Sequence, residues 1–205
     1  MLPQDSYKLS DRSTIRNLES ILKILDDVKP VLIGGIAVAA YASYYGLPYN
    51  RKTKDIDFII NKNKKTHTKE IIYKELQNLS IREGRLFGYD GIEIVYKDGP
   101  KVSILFKDKD IPYNEIELKL GKKKIKLRIA KMEYLFVDKI FTYLDRKEEK
   151  DLNDIEVLAY LMKKYGYDRE LLYKIFDEYS KKYKKYASKA KDIIKEEFYK
   201  IFLSA

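Results

Sequence analysis

The segment from Val31 to Ile60, VLIGGIAVAAYASYYGLPYNRKTKDIDFII, contains the most informative pattern of the chain. Its first three residues are apolar, as in a short buried strand, and a turn is expected at Gly34-Gly35. The alanine-rich stretch from Ile36 to Tyr45 predicts a helix. The stretch from Asp55 to Ile60 alternates and then becomes apolar, which is typical of a half-buried strand. Strand, glycine turn, helix and strand in this order indicate an α/β arrangement.

Asp55 and Asp57 lie two residues apart on the second strand, so their side chains share one face. Neighbouring carboxylates repel each other unless a cation lies between them, and Mg²⁺ suits that position because it binds carboxylate and phosphate oxygens. Gly34-Gly35 leaves backbone N–H groups free at a helix N-terminus, where phosphate binds and a Cβ would block its approach. Each feature alone also occurs by chance. Their order and spacing together predict a site for phosphoryl or nucleotidyl transfer.

Two motifs resemble those of a known family. Gly34-Gly35, a helix and then Arg51-x-Thr53-x-Asp55-x-Asp57 resemble the first motif of the nucleotidyltransferase superfamily, and most closely that of the AbiEii-type toxins and related small prokaryotic nucleotidyltransferases. A second stretch, which contains Lys139, Arg146 and Lys150-Asp151-Leu152-x-Asp154, resembles the helical motif of the same group. The resemblance implies an α+β fold, in which a nucleotidyltransferase-like mixed sheet with flanking helices precedes a C-terminal helical region.

The resemblance also implies a role for each matching residue. Asp55 and Asp57 are expected to bind Mg²⁺ or Mn²⁺, and Gly34 and Gly35 to contact a triphosphate through backbone N–H groups. Three further residues are expected beside the nucleotide, namely Arg51, Thr53 and Lys139, of which Lys139 also belongs to the catalytic set.

The acidic residues of the helical motif have two interpretations. Asp151 and Asp154 either face the site or form salt bridges with Arg146 and Lys150. We prefer the salt bridges, because charges at this spacing on one helical segment commonly pair with each other.

The third carboxylate of the superfamily is missing from its expected position. Active members carry it on a later strand, where it completes the metal site, and Ser103 stands there in this chain. Serine is neither an anionic ligand nor a strong base. Glu93, on the preceding predicted strand, is the candidate replacement, with Asp90 as a second choice, although the interpretation that we prefer for Glu93 is a solvent-facing strand residue. The apolar neighbours of Glu93 and Ser103 predict that both lie on the same, open face of the sheet.

The remaining pattern suggests two regions. Residues 10 to 28 and 64 to 79 predict helices, and strands are expected at 81–87, 91–97, 102–106, 116–120 and 125–129. From Lys131 onward the pattern is helical, with an interruption near Gly166. We therefore expect a nucleotidyltransferase-like domain at 1–130 and a helical region at 131–205. Tyrosines and lysine pairs alternate along 168–204, which favours an apolar stripe beside a solvated face over a nucleobase-stacking surface.

The composition of the chain bears on its partners, on metal binding and on its location in the cell. The net charge is +10, which favours a phosphate-bearing partner such as RNA, although a lysine- and glutamate-rich surface is also typical of a thermophile. The chain has no cysteine and a single histidine, so a zinc site is excluded. No apolar run is long enough to span a membrane, and no signal peptide is present, so we expect a cytoplasmic protein without a membrane partner.

Two functional hypotheses follow. The first is an Mg²⁺-dependent nucleotidyltransferase that moves a nucleoside monophosphate from a nucleoside triphosphate to a hydroxyl of RNA, protein or a small molecule. In this version the protein is also a toxin that a cognate antitoxin protein restrains. The alternative is a catalytically degenerate module of the same fold that binds nucleotides or nucleic acid. The serine at position 103 supports the alternative, and the aspartate pair favours the enzyme.

Overall fold

The structure is a computed structural model that describes residues 12–49, 53, 55–97, 100–120 and 123–200. The chain divides into two compact units, residues 1–130 and 131–205. The described elements of the first unit are α1 (Arg12–Ile24), β1 (Val31–Ile33), α2 (Gly34–Tyr44), β2 (Ile56–Asn61), α3 (Lys65–Glu75), β3 (Ser80–Leu86), β4 (Tyr89–Val95), β5 (Lys101–Lys107), β6 (Tyr113–Leu120) and β7 (Lys123–Ala130).

These strands form one mixed sheet in the order β3-β4-β5-β2-β1-β7-β6. Strand β1 runs antiparallel to β2 and parallel to β7, and β2 runs parallel to β5. The neighbours β3–β4, β4–β5 and β6–β7 are antiparallel. The expected α+β class with a mixed sheet and flanking helices is therefore confirmed, and the aspartate-bearing strand β2 lies near the middle of the sheet.

The alternation of the sequence explains how the sheet is buried. On β2, the side chains of Ile56, Phe58 and Ile60 are buried on one face, while Asp57 projects from the other. Helix α2 is buried from Gly35 to Ala42 because its small side chains allow close packing on β1, β2 and β6. The hydroxyl of Tyr41 on this helix donates a hydrogen bond to the carbonyl oxygen of Ala130, at 3.1 Å.

The second unit is helical in its described part. Its elements are α4 (Met132–Arg146), α5 (Glu149–Tyr165), α6 (Arg169–Lys182) and α7 (Ala187–Lys200). The predicted interruption near Gly166 is confirmed, and this glycine has a φ of 92°, which ends the helix. A second interruption at Lys184–Tyr186, where a short 3-10 helix forms, was not predicted. None of the described helices is both long and apolar enough to cross a membrane.

The tyrosine-rich stripe of the second unit packs against its own helices. The ring of Phe141 on α4 contacts those of Phe176, Tyr179 and Tyr183, with centroids 5.5–6.1 Å apart. The hydroxyl of Tyr179 also bonds the Asp138 carboxylate at 2.7 Å. The interleaved lysines at 181, 182, 184 and 185 are exposed. The preferred interpretation of the stripe, packing beside a solvated lysine face, is confirmed.

Candidate nucleotide-transfer site

Gly34, the first residue of α2 after the end of β1, packs against Asp57. Gly34 has a φ of 74°, a conformation that L side chains rarely adopt. A Cβ on this residue would lie 2.5 Å from the Oδ2 atom of Asp57. The register of β1 and β2 explains this contact, because Ile33 pairs with Asp57. The carboxylate of Asp57 therefore lies directly beside the N-terminus of α2, where backbone N–H groups have no helical partner.

We expect Gly34→Ala to damage both stability and activity. The left-handed conformation alone costs a non-glycine residue about 1–3 kcal/mol. The new Cβ also displaces Asp57, and a displacement of this kind lowers a transfer rate by about 10²-fold. Urea unfolding and a nucleotide-transfer assay measure the two effects. Gly84→Ala is the matched control, because no atom lies within 4 Å of its added Cβ, and equal behaviour of the two variants would contradict the assignment.

Three polar residues form a row across the sheet. Asp57 on β2 pairs with Ser103 on β5, and Ser103 pairs with Glu93 on β4. Paired residues project from the same face, so the prediction that Glu93 and Ser103 share a face is confirmed. The prediction that this face is open at Ser103 is wrong, because Ser103 is only 2% exposed. The next residues on this face, Leu105 of β5 and Ile59 of β2, are also buried, so this part of the sheet face is covered.

Asp90, the second choice for the missing acid, lies elsewhere. It precedes Glu93 by three residues on the same strand, so its side chain projects from the opposite face. Its carboxylate accepts a hydrogen bond from the Lys65 Nζ at 2.9 Å, and this ion pair lowers its pKa. The placement removes Asp90 as a candidate for the site.

Glu93 is paired with a lysine that the sequence patterns did not identify. The Nζ atom of Lys101 lies 3.2 Å from Glu93 Oε1, and Lys101 precedes Ser103 by two residues on the same face of β5. Burial lowers the pKa of Lys101, but the hydrogen bond from Lys101 to Glu93 and the charges of Glu93, Asp55 and Asp57 outweigh it and raise this pKa. The sequence did contain one indication of this position, because a residue two places before Ser103 on a strand lies on the same face as Ser103.

The loop before β2 contributes a further expected residue. The backbone N–H of Asp55 donates to the Thr53 hydroxyl oxygen at 3.4 Å, so Thr53 lies next to the aspartate pair. Asp55 is exposed and Asp57 is half-buried, which leaves at least one carboxylate accessible to solvent. Arg51 lies outside the described residues.

Three charged residues of the helical motif, Lys139, Asp151 and Asp154, form a buried cluster in the second unit. Lys139 on α4 lies 3.2 Å from Asp151 Oδ1 and 2.8 Å from Asp154 Oδ2 on α5, and all three side chains are at most 5% exposed. Arg146 donates to both oxygens of Asp151, at 2.6 and 2.7 Å. Burial raises the pKa of Asp151, but the hydrogen bonds from Arg146 and the charges of Lys139 and Arg146 outweigh it and lower this pKa.

The preferred salt-bridge interpretation of these charges holds for one pair and needs correction for the other. Asp151 pairs with Arg146 as expected, whereas Asp154 pairs with Lys139. Lys150 instead pairs with Glu148, because it lies on the exposed side of α5 while Asp154 is buried. Lys139 therefore has two carboxylate partners inside its own unit, and its contact with a nucleotide stays a prediction.

The acidic residues of the site do not form a group of three in the described part of the chain. No group of three or more His, Cys, Asp and Glu side chains in the described part of the chain could hold a metal ion. Glu93 and Asp57 are separated by one intervening strand, so their Cα atoms lie about 10 Å apart at the usual strand spacing. A carboxylate pair beside a glycine-lined helix N-terminus can bind a divalent cation together with phosphate.

Solved structures of known proteins share the fold of this chain. The solution structure of the antibiotic-resistance factor ANT(2'')-Ia has a TM-score of 0.58 and 14% identity, and the match covers 84% of this chain and 94% of that chain. The crystal structure of ANT(2'')-Ia with adenylyl-2''-tobramycin gives 0.53 and 12%, and that match covers 82% and 98% of the respective chains. These likenesses show a nucleotidyltransferase fold.

Two sequence comparisons were made, and one of them identified a family. No match was found among the curated proteins. Residues 18–202 match the family described as the nucleotidyl transferase AbiEii toxin of type IV toxin–antitoxin systems. Because this match covers nearly the whole chain, the protein belongs to the AbiEii family of nucleotidyltransferase enzymes.

Proposed function

We propose that the chain moves a nucleoside monophosphate from a nucleoside triphosphate to a hydroxyl group, at a site built from Asp55, Asp57 and the Gly34-Gly35 turn. The observation that carries this proposal is the contact between Asp57 and Gly34. It brings an anionic metal ligand and the free N–H groups of a helix N-terminus to one point, which is the combination that a metal-bound triphosphate requires.

The donor set of this site suits a hard divalent cation. Asp57 on β2 and Asp55 immediately before this strand offer carboxylate oxygens, and Mg²⁺ takes few carboxylates because phosphate oxygens and water complete its shell. We therefore propose that these two residues hold Mg²⁺ or Mn²⁺. When bound, the ion neutralises phosphate oxygens and stabilises the charge that develops during transfer.

The residues of the chain have distinct tasks in this proposal. The N–H groups of Gly34 and Gly35 hold the triphosphate, and Thr53 and Arg51 flank it. The acceptor hydroxyl oxygen attacks the α-phosphorus, the bond from the α-phosphorus to the β-bridging oxygen breaks, and pyrophosphate leaves. We assign the hydroxyl proton to Glu93, since it is the acid that shares the sheet face with Asp57. Lys139 is proposed to contact a phosphate.

One observation favours the alternative of a degenerate binding module. Ser103 stands next to Asp57 where a third carboxylate is expected, and the carboxylate of Glu93 is already bonded by Lys101. A site with these two features binds a nucleotide but lacks an acid directly beside Asp57. The two hypotheses differ in whether the unmodified chain transfers any nucleotide.

We expect Ser103→Asp to raise the transfer rate by about 10²-fold, because a general base at this position contributes on that order. Ser103→Asn is the matched control, since asparagine has a volume similar to that of aspartate but carries no charge. Transfer by Ser103→Asp but none by the unmodified chain supports the degenerate module. If Ser103→Asp changes nothing and Glu93→Gln abolishes transfer, the base is Glu93 and the degenerate interpretation is wrong.

The family supplies a biological context for the proposal. We propose that the chain is the toxin of a toxin–antitoxin pair, that a cognate antitoxin protein restrains it, and that RNA is the leading acceptor because the net charge of +10 attracts phosphate-bearing partners. Since nucleoside triphosphates are cytoplasmic metabolites, the same proposal places the protein in the cytoplasm.

The acceptor is identified by a labelling experiment. Each of the four nucleoside triphosphates, labelled at the α-phosphate, is incubated with the protein, Mg²⁺ and a cell extract, and the products are then treated with ribonuclease or protease. Label that ribonuclease removes supports an RNA acceptor, and label that protease removes supports a protein acceptor. Absence of any covalent label would refute the transfer activity and leave the binding module.

A further inference from the structure

The turn between β3 and β4 contains a phenylalanine in a strained conformation. Leu86 pairs with Tyr89, so Phe87 and Gly88 form a two-residue turn. Phe87 has a φ of 51° and Gly88 a φ of 79°, as in a type I′ turn. The first position of such a turn favours asparagine, aspartate or glycine, and a bulky side chain is strained there.

The ring of Phe87 does not contribute to the core. Its residue is 67% exposed, the highest value among the large apolar residues of the described chain. The ring therefore adds no packing that offsets the strain of its backbone. Backbone strain of this kind is common where a residue binds a ligand, which makes Phe87 a candidate for such a role.

This end of the sheet combines aromatic rings with positive charge. The Nζ atom of Lys107 on β5 lies 4.7 Å from the centroid of the Tyr89 ring, as in a cation–π contact. The acids nearby are each held by a polar partner, namely Asp90 by Lys65, Asp108 by Lys62 and Asp110 by Asn61. Exposed rings beside cations are the combination that binds single-stranded nucleic acid, because bases stack on the rings and phosphates meet the cations.

The turn and the proposed transfer site share one face of the sheet. Tyr89 and Glu93 are four residues apart on β4, so both project from this face, about 13 Å apart at the usual strand rise. Arg82 on the edge strand β3 pairs with Glu93 and is exposed. An acceptor strand that reaches Asp57 can therefore continue along the exposed edge of the same face to the turn.

We infer that the β3–β4 turn binds the acceptor RNA, with a nucleobase stacked on Phe87 and phosphates held by Lys107 and Arg82. The inference rests on the proposed function, because RNA is the acceptor proposed there. A single strand is the ligand, since bases inside a duplex do not offer their faces. Stacking is open to every base, so binding has no strong sequence preference.

A fluorescent probe at the turn tests the stacking directly. The chain has no tryptophan, so Phe87→Trp introduces a single indole. A single-stranded oligoribonucleotide of mixed sequence, about 12 nucleotides long, is added without triphosphate or metal ion. We expect it to quench the indole emission, because a stacked base does so. Tyr113→Trp is the control, since Tyr113 is an exposed ring on β6 at the opposite edge of the sheet, and should not be quenched.

Affinity separates a binding role of Phe87 from a structural one. Anisotropy of the same oligonucleotide carrying fluorescein measures binding, and circular dichroism gives the Tm. Phe87→Asn should weaken binding by about tenfold, the usual effect of losing one stacked base. Its Tm should be equal or higher, because asparagine suits the turn. Phe87→Tyr keeps a ring and should retain the affinity, whereas Phe87→Leu should lose it.

The outcomes distinguish this inference from the proposed function. Quenching at position 87 together with weaker binding by Phe87→Asn supports the RNA surface, even where no label is transferred and the transfer activity fails. Unchanged affinity in Phe87→Asn would overturn the surface while leaving the transfer site in place. Full affinity in Phe87→Leu would also overturn it, since an apolar contact without stacking suits a protein partner. Absence of RNA binding by the unmodified chain would refute the surface outright.

Discussion

Asp57→Asn lowers nucleotide transfer by about 10³-fold, because it removes an anionic ligand from the position where the metal-bound triphosphate meets the helix. The same change weakens Mn²⁺ binding, since a carboxamide oxygen carries no net charge. The expected loss is large because Asp57 lies against Gly34, and the three atoms nearest to a Cβ added at this glycine all belong to Asp57. Transfer of α-labelled nucleotide and calorimetric titration with Mn²⁺ and a non-hydrolysable nucleotide measure the two effects.

A remote aspartate serves as the control for this prediction. The side chain of Asp108 is 81% exposed, and its ion pair with Lys62, at 3.1 Å, lies on the surface. Asp108→Asn should therefore retain both transfer and metal binding. Equal Mn²⁺ affinity in Asp57→Asn and in the unmodified protein would rule out Asp57 as a ligand.

Lys139→Met destabilises the protein by about 3–5 kcal/mol, which is the cost of leaving a buried charge without its partner. Lys139 is the cation that joins Asp151 and Asp154, and both of these side chains are fully buried. Arg146 also binds Asp151, at 2.6 Å. Urea unfolding followed by circular dichroism gives the change in the free energy of unfolding.

An exposed lysine of the same motif is the matched control. The side chain of Lys150 is 47% exposed and pairs with Glu148, so Lys150→Met should cost less than about 1 kcal/mol. If Lys139→Met loses transfer while its free energy of unfolding is unchanged, Lys139 acts on the nucleotide and not as a structural cation.

The same cluster predicts a dependence of stability on pH. The pKa of Asp151 is lowered in the folded state, so its contribution to stability is present above the unfolded value of about 3.9. This contribution is lost as the pH falls through the lower, folded-state pKa. Acid unfolding of the helical unit should therefore begin below about pH 4.

Local patterns in the sequence were sufficient to predict the central site elements. The apolar run at β1, the glycine pair and the Asp-x-Asp spacing each depend on residues close together in the chain. The same is true of the shared face of Glu93 and Ser103, because apolar neighbours dictate which way each strand faces.

Features that depend on contacts between distant segments were not predictable in this way. The burial of Ser103 depends on what packs on this face of the sheet, which no local pattern specifies. The pairing of Lys139 with Asp154 follows from the packing of two helices. Lys101 was missed for a related reason, since a lysine at the start of a strand is ordinary until a carboxylate is known to lie beside it.

Nucleotidyl transfer at Asp57 is tested most directly by following the α- and γ-phosphates of the nucleoside triphosphate separately. The protein is incubated with Mg²⁺, a cell extract and a triphosphate labelled at one position or the other. We expect that α-label becomes covalently attached to the acceptor and that γ-label appears in released pyrophosphate, and that both results require Asp57. Attachment of γ-label to the acceptor, or equal α-labelling by Asp57→Asn and the unmodified protein, would contradict nucleotidyl transfer at this site.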